Sequence, residues 1–398
     1  MTSALRPGST GDFPSTAPVV IAGAGPVGLT LALALARADV RSLVLERKAV
    51  LDPHSRATLM VPRSLQFLDQ LGLMPALLAQ GQRNDAIRIL RAGDRRPLFT
   101  FDFAPPASRT STPFALALAQ DRTEKILLDA VRATGLVQVE FSTPFEAFEQ
   151  GGESLRVLAG GQMVEAEYLV GCDGAHSAVR GALGWTLEGK TYPTRAVLAD
   201  VRVALERGLA EGWLADPKAS SFTIAIRFAD DTWRIIESAV PDTVTDAELP
   251  GRAKRLTESL FGPGAWRDTL WTAAYRKHER RSPRYVDGRV VLAGDAAHLN
   301  SPAGGQGLNA GLADAEALAQ TLAMALAQPA EAGRLLRDYE AQRITSFDQN
   351  VRGLTDALET METAPAWLRG LAFSGLGLAR AAGIERLVAR RLSMLDAA

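Results

Sequence analysis

Three glycines and one glutamate near the start of the chain have the spacing of a dinucleotide-binding site. Gly23, Gly25 and Gly28 form a G-x-G-x-x-G pattern, and Glu46 follows Gly28 by eighteen residues. The first glycine permits a tight turn, the second lets backbone approach a pyrophosphate, and the third lets helix and strand pack closely. Glu46 would accept ribose hydroxyls and repel a 2′-phosphate. The pattern predicts a site for FAD or NAD rather than NADP, with the choice between FAD and NAD left open.

Two later segments each combine a buried-strand pattern with an acidic residue. The apolar run 168–171 leads to Asp173-Gly174, and the apolar run 290–293 leads to Gly294-Asp295. The glycine-rich loop at 304–309 follows the second segment and precedes a helical pattern. Continuous apolar runs of this length are typical of strands buried on both faces, and each would deliver its carboxylate to a strand end.

The three motifs together resemble those of the class A FAD-dependent monooxygenases, the para-hydroxybenzoate hydroxylase-like aromatic hydroxylases. Their order and approximate spacing match over residues 17–360. The resemblance implies an α/β fold: a Rossmann-like FAD-binding domain, an inserted mixed β-sheet substrate domain and a C-terminal helical tail. It also implies that NADPH or NADH reduces FAD and that a flavin C4a-hydroperoxide hydroxylates a small aromatic, polyketide or quinone-like substrate, while the protein supplies position and excludes water.

The resemblance also assigns cofactor-binding roles. The three glycines of the first motif would hold the pyrophosphate, Glu46 the adenosine ribose, and Asp295 the ribityl or pyrophosphate region. Asp173 would serve both FAD and the nicotinamide cofactor. A helix beginning near Gly307 would direct its positive end at the negative charge of reduced flavin. The expected cofactor-binding residues are Gly23, Gly25, Gly28, Glu46, Arg47, Arg56, Gln120, Asp173, Asp295, Pro302, Gly305, Gly307, Leu308 and Asn309.

An alternating apolar segment supplies the substrate candidates, Phe222, Ile224 and Phe228. Together with Ile226 they alternate with smaller or polar residues, so a strand would place all four on one face. The sequence leaves open whether this face lines a pocket or packs a core.

The histidines, the cysteine and the remaining polar residues are expected to be structural. His298 should pack or hydrogen-bond near the flavin, Arg180 should order its own loop, and Cys172 should be a buried, inert thiol. Ser177 lacks the G-x-S-x-G context of a nucleophile, and the histidine spacing predicts no metal site. The basic segment 276–281 could steer nicotinamide phosphates, although a solvated strand face is the preferred interpretation. No catalytic base is identified.

Parallel strands and long helices must position these residues. The runs at 18–22, 29–36 and 42–45 predict a strand, a helix and a second strand, which imply a right-handed parallel crossover. Strand patterns also occur at 86–103, 137–171 and 195–240. Further helices are predicted at 63–81, 122–134, 305–327 and 332–362.

The expected domains are discontinuous. The predicted ranges are a disordered leader at 1–16, an FAD-binding domain at 17–85, 106–188 and 283–365, a substrate domain at 86–105 and 189–282, and a helical tail at 366–398. Packing of this amphipathic tail on the FAD-binding domain is the default, with a dimer or membrane contact as alternatives.

Composition narrows the class of protein. The chain has 398 residues, 47% of them hydrophobic, and a formal net charge of −1. A nucleic-acid partner is not expected because no concentrated basic face is visible. With one cysteine an intramolecular disulfide is impossible, and neither a signal peptide nor a transmembrane segment is expected. We expect a cytoplasmic monomer or homodimer. A reductase or dehydrogenase of the same fold and a non-catalytic flavin-binding protein are the alternatives, and a halogenase is disfavoured because its W-x-W-x-I-P segment is absent.

Overall fold

A computed structural model gives the fold of most of the chain. The described residues are 13–52, 58–91, 94–103, 110–151, 154–204, 213–215, 223–229, 231–301, 305–352, 356, 359–360 and 393–395. Among them, no helix combines the length and apolar character needed to cross a bilayer. Arg56, Pro302 and Phe222, together with most of the predicted tail, lie outside the described residues.

Nineteen strands and eight α-helices are described. The strands are β1 (Thr16–Ala22), β2 (Ser42–Leu45), β3 (Leu59–Met60), β4 (Gln82–Asn84), β5 (Ala86–Arg91), β6 (Pro97–Asp102), β7 (Ala115–Ala117), β8 (Val137–Glu140), β9 (Phe145–Gly151), β10 (Ser154–Ala159), β11 (Gln162–Gly171), β12 (Glu188–Val203), β13 (Trp213–Ala215), β14 (Thr223–Arg227), β15 (Thr232–Val240), β16 (Trp266–Arg281), β17 (Val286–Asp287), β18 (Val290–Leu292) and β19 (His298–Leu299). The helices are α1 (Pro26–Arg37), α2 (Pro62–Gln70), α3 (Met74–Gln80), α4 (Gln120–Ala133), α5 (Ala178–Ala182), α6 (Leu249–Phe261), α7 (Gln306–Ala327) and α8 (Ala332–Ser346).

The first sheet is parallel at its centre. Its strands follow the order β17-β18-β11-β1-β2-β8, with β9 and β10 added as an antiparallel extension from β11. Val19, Val20 and Ile21 of β1 have no exposed area, because α1, α4 and α7 contribute to the core on one face and a second apolar cluster covers the other. Burial on both faces explains why this strand is a continuous apolar run.

The register of this sheet brings the ends of four strands together. Ala22 of β1 pairs with Gly171 of β11 and with Leu45 of β2, and Gly171 pairs with Leu292 of β18. Because these strands are parallel, the loops that follow them leave from the same edge. In open α/β sheets, ligands bind outside the carboxyl ends of the strands.

The second sheet is mixed, and one of its faces packs against the small sheet β3-β7-β4. Its order is β19-β16-β12-β15-β14-β13-β5-β6, antiparallel except for the parallel pair β13–β5. Helix α6 covers one face through a cluster that includes Trp233 and Leu260. The opposite face packs on Ala115 and Ala117 of the small sheet β3-β7-β4. The predicted α/β fold, with a Rossmann-like part and a mixed β-sheet, is confirmed.

Three boundaries differ from the sequence predictions. Thr16 belongs to β1 and pairs with Glu165, so ordered structure begins inside the range expected to be a disordered leader. The helix predicted at 63–81 is two helices, because Gly72 adopts a φ of +81° between α2 and α3. The helix predicted at 332–362 is α-helical over Ala332–Ser346 and π-helical over Phe347–Arg352, and the described residues 356 and 359–360 are again α-helical.

A short part of the predicted tail is described. Residues 393–395 form a turn in which Met394 is buried against Val61. The carbonyl oxygen of Ser393 accepts a hydrogen bond from the backbone N–H of Arg63 at 3.2 Å. These contacts place residues 393–395 against the start of α2.

Candidate cofactor and substrate site

The glycine loop after β1 is shaped by close backbone contacts. Gly23 has a φ of +108°, and a Cβ added there would lie 2.4 Å from the carbonyl oxygen of Cys172. A Cβ on Gly28 would lie 2.0 Å from the carbonyl oxygen of Gly23. A Cβ on Gly25, by contrast, would meet no atom within 4 Å. Two of the glycines are therefore required by packing, and the third faces open space at the N-terminus of α1.

Glu46 connects the end of β2 to the glycine loop. Its Oε2 accepts a hydrogen bond from the backbone N–H of Ala24 at 2.9 Å, and its Oε1 accepts one from the N–H of Lys48 at 3.0 Å. The carboxylate keeps further lone pairs for ligand hydroxyls. Its neighbour Arg47 is exposed.

Gln120 begins α4 and is bonded to a buried acid. Its Nε2 donates to Oε1 of Glu124 at 2.7 Å. Burial raises the pKa of Glu124 to about 7, and the negative charges of Asp52, Asp121 and Glu46 act in the same direction, while the hydrogen bond from Gln120 opposes them. The Gln120–Glu124 pair therefore lies in the electrostatic field of Glu46, close to the predicted adenosine position.

Asp173 has one satisfied and one unsatisfied carboxylate oxygen. Its Oδ2 accepts hydrogen bonds from the backbone N–H groups of Ala178 at 2.6 Å and Val179 at 3.2 Å. Its Oδ1 is buried without a hydrogen-bond partner among the described residues. Buried polar atoms are nearly always paired, so an unpaired acceptor at this edge is where a ligand donor fits.

Arg180 links two of the three motifs. Its Nη2 donates to the carbonyl oxygen of Ala175 at 2.8 Å, and its Nη1 donates to that of Ala296 at 2.9 Å. It therefore orders its own loop, as expected, and also the turn that carries Asp295. Ser177 accepts from the N–H of Arg180 and caps α5, which is a structural role. Cys172 is buried, and burial raises the pKa of its thiol, so this group is inert.

Asp295 lies in a short 3₁₀ turn with an exposed side chain. Gly294 has a φ of +62°, and a Cβ there would lie 2.9 Å from Cγ2 of Val27 in the glycine loop. His298, three residues later, is buried and hydrogen-bonded to Asp314, which is the structural role expected for it. The turn is therefore packed directly on the first motif.

The loop before α7 ends in an open backbone position. Gly305 has a φ of +65°, and neither Gly305 nor Gly307 would place a Cβ within 4 Å of another atom. The first N–H groups of a helix lack intrahelical partners and carry partial positive charge. Half-buried Leu308 packs against the main core. This start of α7 can accept negative charge.

The side chain of Asn309 is fully hydrogen-bonded within the protein. Its Oδ1 accepts from the N–H of Val61 and the hydroxyl of Ser64, and its Nδ2 donates to the carbonyl oxygens of Leu59 and Gly305. An amide side chain can make four hydrogen bonds, and all four positions are filled. Its side chain therefore holds α7 to β3 and α2, and a cofactor contact would fall to its backbone.

The residues at this edge fit FAD. The glycine loop, the Asp173 loop and the Asp295 turn leave adjacent strands of one sheet, and the start of α7 packs on the same glycine loop, where a Cβ on Gly311 would meet Val27 at 2.6 Å. Open glycine faces, an unpaired carboxylate oxygen and a helix N-terminus match the diphosphate, hydroxyl and ring portions of an extended flavin nucleotide.

The candidate substrate residues that are described lie in a packed cluster. Ile224, Ile226 and Phe228 are 7%, 4% and 5% exposed. They pack with Ile87 and Phe103 and with the small sheet. The three described members of the predicted face therefore lie on one side of the sheet, where they fill the space between the mixed sheet and β7.

A buried ion pair on this face was not predicted from the sequence. Arg234 is 1% exposed, and its Nε and Nη2 each donate to an oxygen of Asp200 at 2.8 Å. Its Nη1 donates to Oγ1 of Thr58 at 3.0 Å, and its guanidinium lies 5.3 Å from the ring centroid of Phe228. An arginine within the otherwise apolar run Trp233–Ile236 was the available signal.

Comparison with known proteins gives the family. The model of the FAD binding domain family matches residues 16–353. A flavin-dependent monooxygenase of Mycobacteroides abscessus is 34% identical over 361 residues, which cover 87% of this chain and 75% of that protein. The 6-hydroxy-3-succinoylpyridine 3-monooxygenase of Pseudomonas putida is 31% identical over 83% of this chain and 84% of its own.

Solved structures of flavin-dependent hydroxylases share the fold of this chain. The p-nitrophenol 4-monooxygenase of Pseudomonas putida superposes with a TM-score of 0.85 at 26% identity, covering 96% of this chain and 99% of that one. Aklavinone-11 hydroxylase, solved with FAD and aklavinone, gives a TM-score of 0.77 at 29% identity over 88% and 69% of the two chains. With the FAD-shaped edge described above, these matches identify the chain as a member of the class A flavin-dependent aromatic monooxygenase family.

Proposed function

We propose that this flavin-dependent monooxygenase hydroxylates a small aromatic, polyketide or quinone-like substrate, with NADPH or NADH as the reductant. The observation that carries the proposal is the convergence of three loops and a helix N-terminus on one sheet edge. Bound FAD would supply the electron transfer and oxygen activation.

Each group at this edge has a proposed task. The glycine loop and the start of α1 would bind the diphosphate, because Gly25 leaves its face open. Glu46 would accept the ribose hydroxyls. Asp173 would use its unpaired Oδ1 for a hydroxyl or N–H donor of a nucleotide. The first N–H groups of α7 would stabilise negative charge on the reduced ring system.

The substrate class is supported by the named substrates of relatives. The inner face of the mixed sheet, with Ile224, Ile226 and Phe228, is packed against the small sheet and forms core there. Relatives of this chain are named for nitrophenol, hydroxylated pyridine and anhydrotetracycline substrates, all of them aromatic.

Oxygen incorporation tests the proposal. The FAD-reconstituted protein is offered phenols, hydroxypyridines and polycyclic polyketides, and NADH and NADPH consumption is followed with and without each compound. The expected result is substrate-stimulated consumption, with one ¹⁸O atom from ¹⁸O₂ in the product and none from H₂¹⁸O.

Two outcomes would overturn the monooxygenase proposal in different ways. Substrate-dependent NAD(P)H consumption without oxygen incorporation would identify a reductase or dehydrogenase of the same fold. Bound FAD with no turnover of any compound would indicate a flavin-binding protein without catalysis. Asp173→Asn serves as a site control, because it can keep an oxygen toward the N–H groups of Ala178 and Val179 while it replaces the unpaired Oδ1 acceptor, which should reduce FAD or nicotinamide binding if this edge is the site.

A further inference from the structure

A fully buried carboxylate lies beneath the turn that carries Asp295. Asp314, on α7, has no exposed area. Its Oδ2 accepts hydrogen bonds from the backbone N–H of Gly294 at 2.9 Å and from Nε2 of His298 at 2.6 Å. Its Oδ1 accepts from Nε of Arg343, on α8, at 2.6 Å. One side chain thus joins the turn to two helices.

The two residues that donate to Oδ2 of Asp314 flank Asp295 in the chain. Gly294 precedes this residue and His298 follows it by three, so a single oxygen atom holds both ends of the turn. Because Gly294 has a φ of +62°, the backbone there is already restricted to a left-handed conformation. The turn therefore has little freedom to move while Asp314 is ionised and in place.

The position of Asp314 on α7 relates this turn to the flavin loop. The helix begins at Gln306, directly after the open backbone of Gly305. Eight residues at a rise of 1.5 Å separate Gln306 from Asp314, or about 12 Å along the axis. One rigid helix therefore carries a candidate anion-accepting N-terminus and, about 12 Å away, the anchor of the Asp295 turn.

Stability alone does not account for this buried charge. Burial raises the pKa of Asp314, but His298, Arg343 and the hydrogen bond from Gly294 outweigh that effect and bring the pKa to about 2. Replacing buried ion pairs by apolar groups of similar volume is often neutral or stabilising. Asp314 and Arg343 also act electrostatically on the hydroxyls of Tyr285 and Tyr339, and Asp348 acts on that of Tyr285.

We propose that Asp314 and His298 are positioning residues that hold the Asp295 turn at the distance from the start of α7 that FAD requires. Neither side chain touches the cofactor, and both act through Asp295. The inference rests on the proposed cofactor-binding role of Asp295. It predicts that releasing the turn weakens FAD binding more than it weakens the fold.

Two substitutions on opposite oxygens of Asp314 separate these effects. The ring of His298 lies between those of Phe347 and Tyr285, with centroids 5.0 and 6.0 Å away, so His298→Phe keeps the packing and removes the Nε2 donor. Arg343→Met removes the contact on the helix side. Loss of a charge-assisted hydrogen bond corresponds to about a tenfold or larger change in an equilibrium constant.

The measurements are the FAD dissociation constant, from flavin fluorescence, and the melting temperature of the apoprotein. His298→Phe should raise the FAD dissociation constant about tenfold and, because Arg343 and the N–H of Gly294 still pair with Asp314, should lower the melting temperature less than Arg343→Met does. Arg343→Met should lower the melting temperature more and the affinity less. His298→Gln restores an N–H donor and should recover most of the affinity. The proposal would be overturned if FAD affinity and melting temperature fell in the same proportion in both variants. Unchanged FAD affinity in His298→Phe would also overturn it.

A double-mutant cycle tests whether the hydrogen bond between Asp314 and His298 acts through Asp295. In an Asp295→Ala background, His298→Phe should cause no further loss of FAD affinity, and an undiminished loss would refute the positioning role. If Asp295→Ala alone leaves FAD affinity unchanged, the proposed cofactor role of Asp295 fails instead. Asp314→Asn is the second variant should His298→Phe not fold, and it should reproduce the loss of affinity.

Discussion

Two regions of the molecule are shaped in different ways: the cofactor edge, which is the carboxyl end of the parallel strands β1, β2, β11 and β18, and the inner face of the mixed sheet. At the cofactor edge, the shape is set by backbone: Gly23 and Gly28 permit contacts that a Cβ would prevent, and Gly25 and Gly305 face open space. On the mixed sheet, the shape is set by side chains from β12, β14 and β15, which meet only through strand register. Conserving a backbone conformation restricts residue type far more than filling a volume does.

The two regions also treat charge differently. Glu46 and Asp173 accept backbone N–H groups and keep acceptor capacity toward a ligand. Arg234 and Asp200 satisfy each other in a bidentate pair within an apolar surface. The first region keeps acceptor capacity open at a sheet edge, and the second neutralises its own charge, as a packed apolar layer requires.

The strongest test of this contrast breaks the buried pair. Arg234→Met leaves Asp200, whose side chain is 17% exposed, without its partner and should destabilise the protein by about 3 kcal/mol, measured by urea unfolding. The double variant Asp200→Leu/Arg234→Met removes both charges and should recover most of this loss. If single and double variants were equally unstable, mutual neutralisation would not explain the pair.

The next largest effect is expected in the glycine loop. Gly28→Ala places a Cβ 2.0 Å from the carbonyl oxygen of Gly23, so α1 must shift. We expect the free energy of FAD binding to weaken by about 3 kcal/mol, which is about a hundredfold in the FAD dissociation constant measured by flavin fluorescence. Gly251→Ala in α6 is the matched control, because its nearest neighbour is Nη1 of Arg255 at 3.5 Å. A loss of affinity below tenfold would contradict the backbone argument.

A pH experiment tests the raised pKa of Glu124, the buried acid bonded to Gln120. The raised pKa of Glu124, about 7, means that the folded chain retains this proton, so stability declines as pH rises from 4.5 through 7. Glu124→Gln should therefore raise stability at pH 8 by about 2 kcal/mol and change it little at pH 4.5. Urea unfolding at both pH values measures this.

The control for that experiment is Glu149→Gln, which changes an exposed glutamate paired with Arg156. Its effect should stay within about 0.5 kcal/mol at both pH values. A pH-independent effect of Glu124→Gln would show that the pKa of Glu124 is the same in the folded and unfolded states.

The smallest effect concerns the loop before α7. Gly305→Ala forces alanine into a left-handed conformation, which costs about 1–2 kcal/mol. If FAD needs that backbone, its dissociation constant should rise about tenfold or less. Gly135→Ala has a similar φ of +67° and an open Cβ direction, and it follows α4 before β8. It should lower the melting temperature as much and leave FAD affinity unchanged, and equal losses of affinity would discount a local role for Gly305.

Local pattern predicted most elements but not their ends. The helix at 122–134 differs from α4 by two residues at its start and one at its end, because periodic apolar spacing is a local signal. The break between α2 and α3 at Gly72, and the change of α8 to π-helical geometry at Phe347, depend on packing. The ring of Phe347 lies against His298, a residue from a distant segment.

The sequence by itself determined the FAD-type fold and placed the glycine and acidic motifs at strand ends, because each motif encodes a local backbone conformation there. Only the tertiary structure decided that the amide of Asn309 is used up in holding α7, and that Arg234 pairs with Asp200. It alone placed Asp314 beneath the Asp295 turn. Such roles depend on which segments meet, and a contact between distant segments leaves no periodicity in either of them.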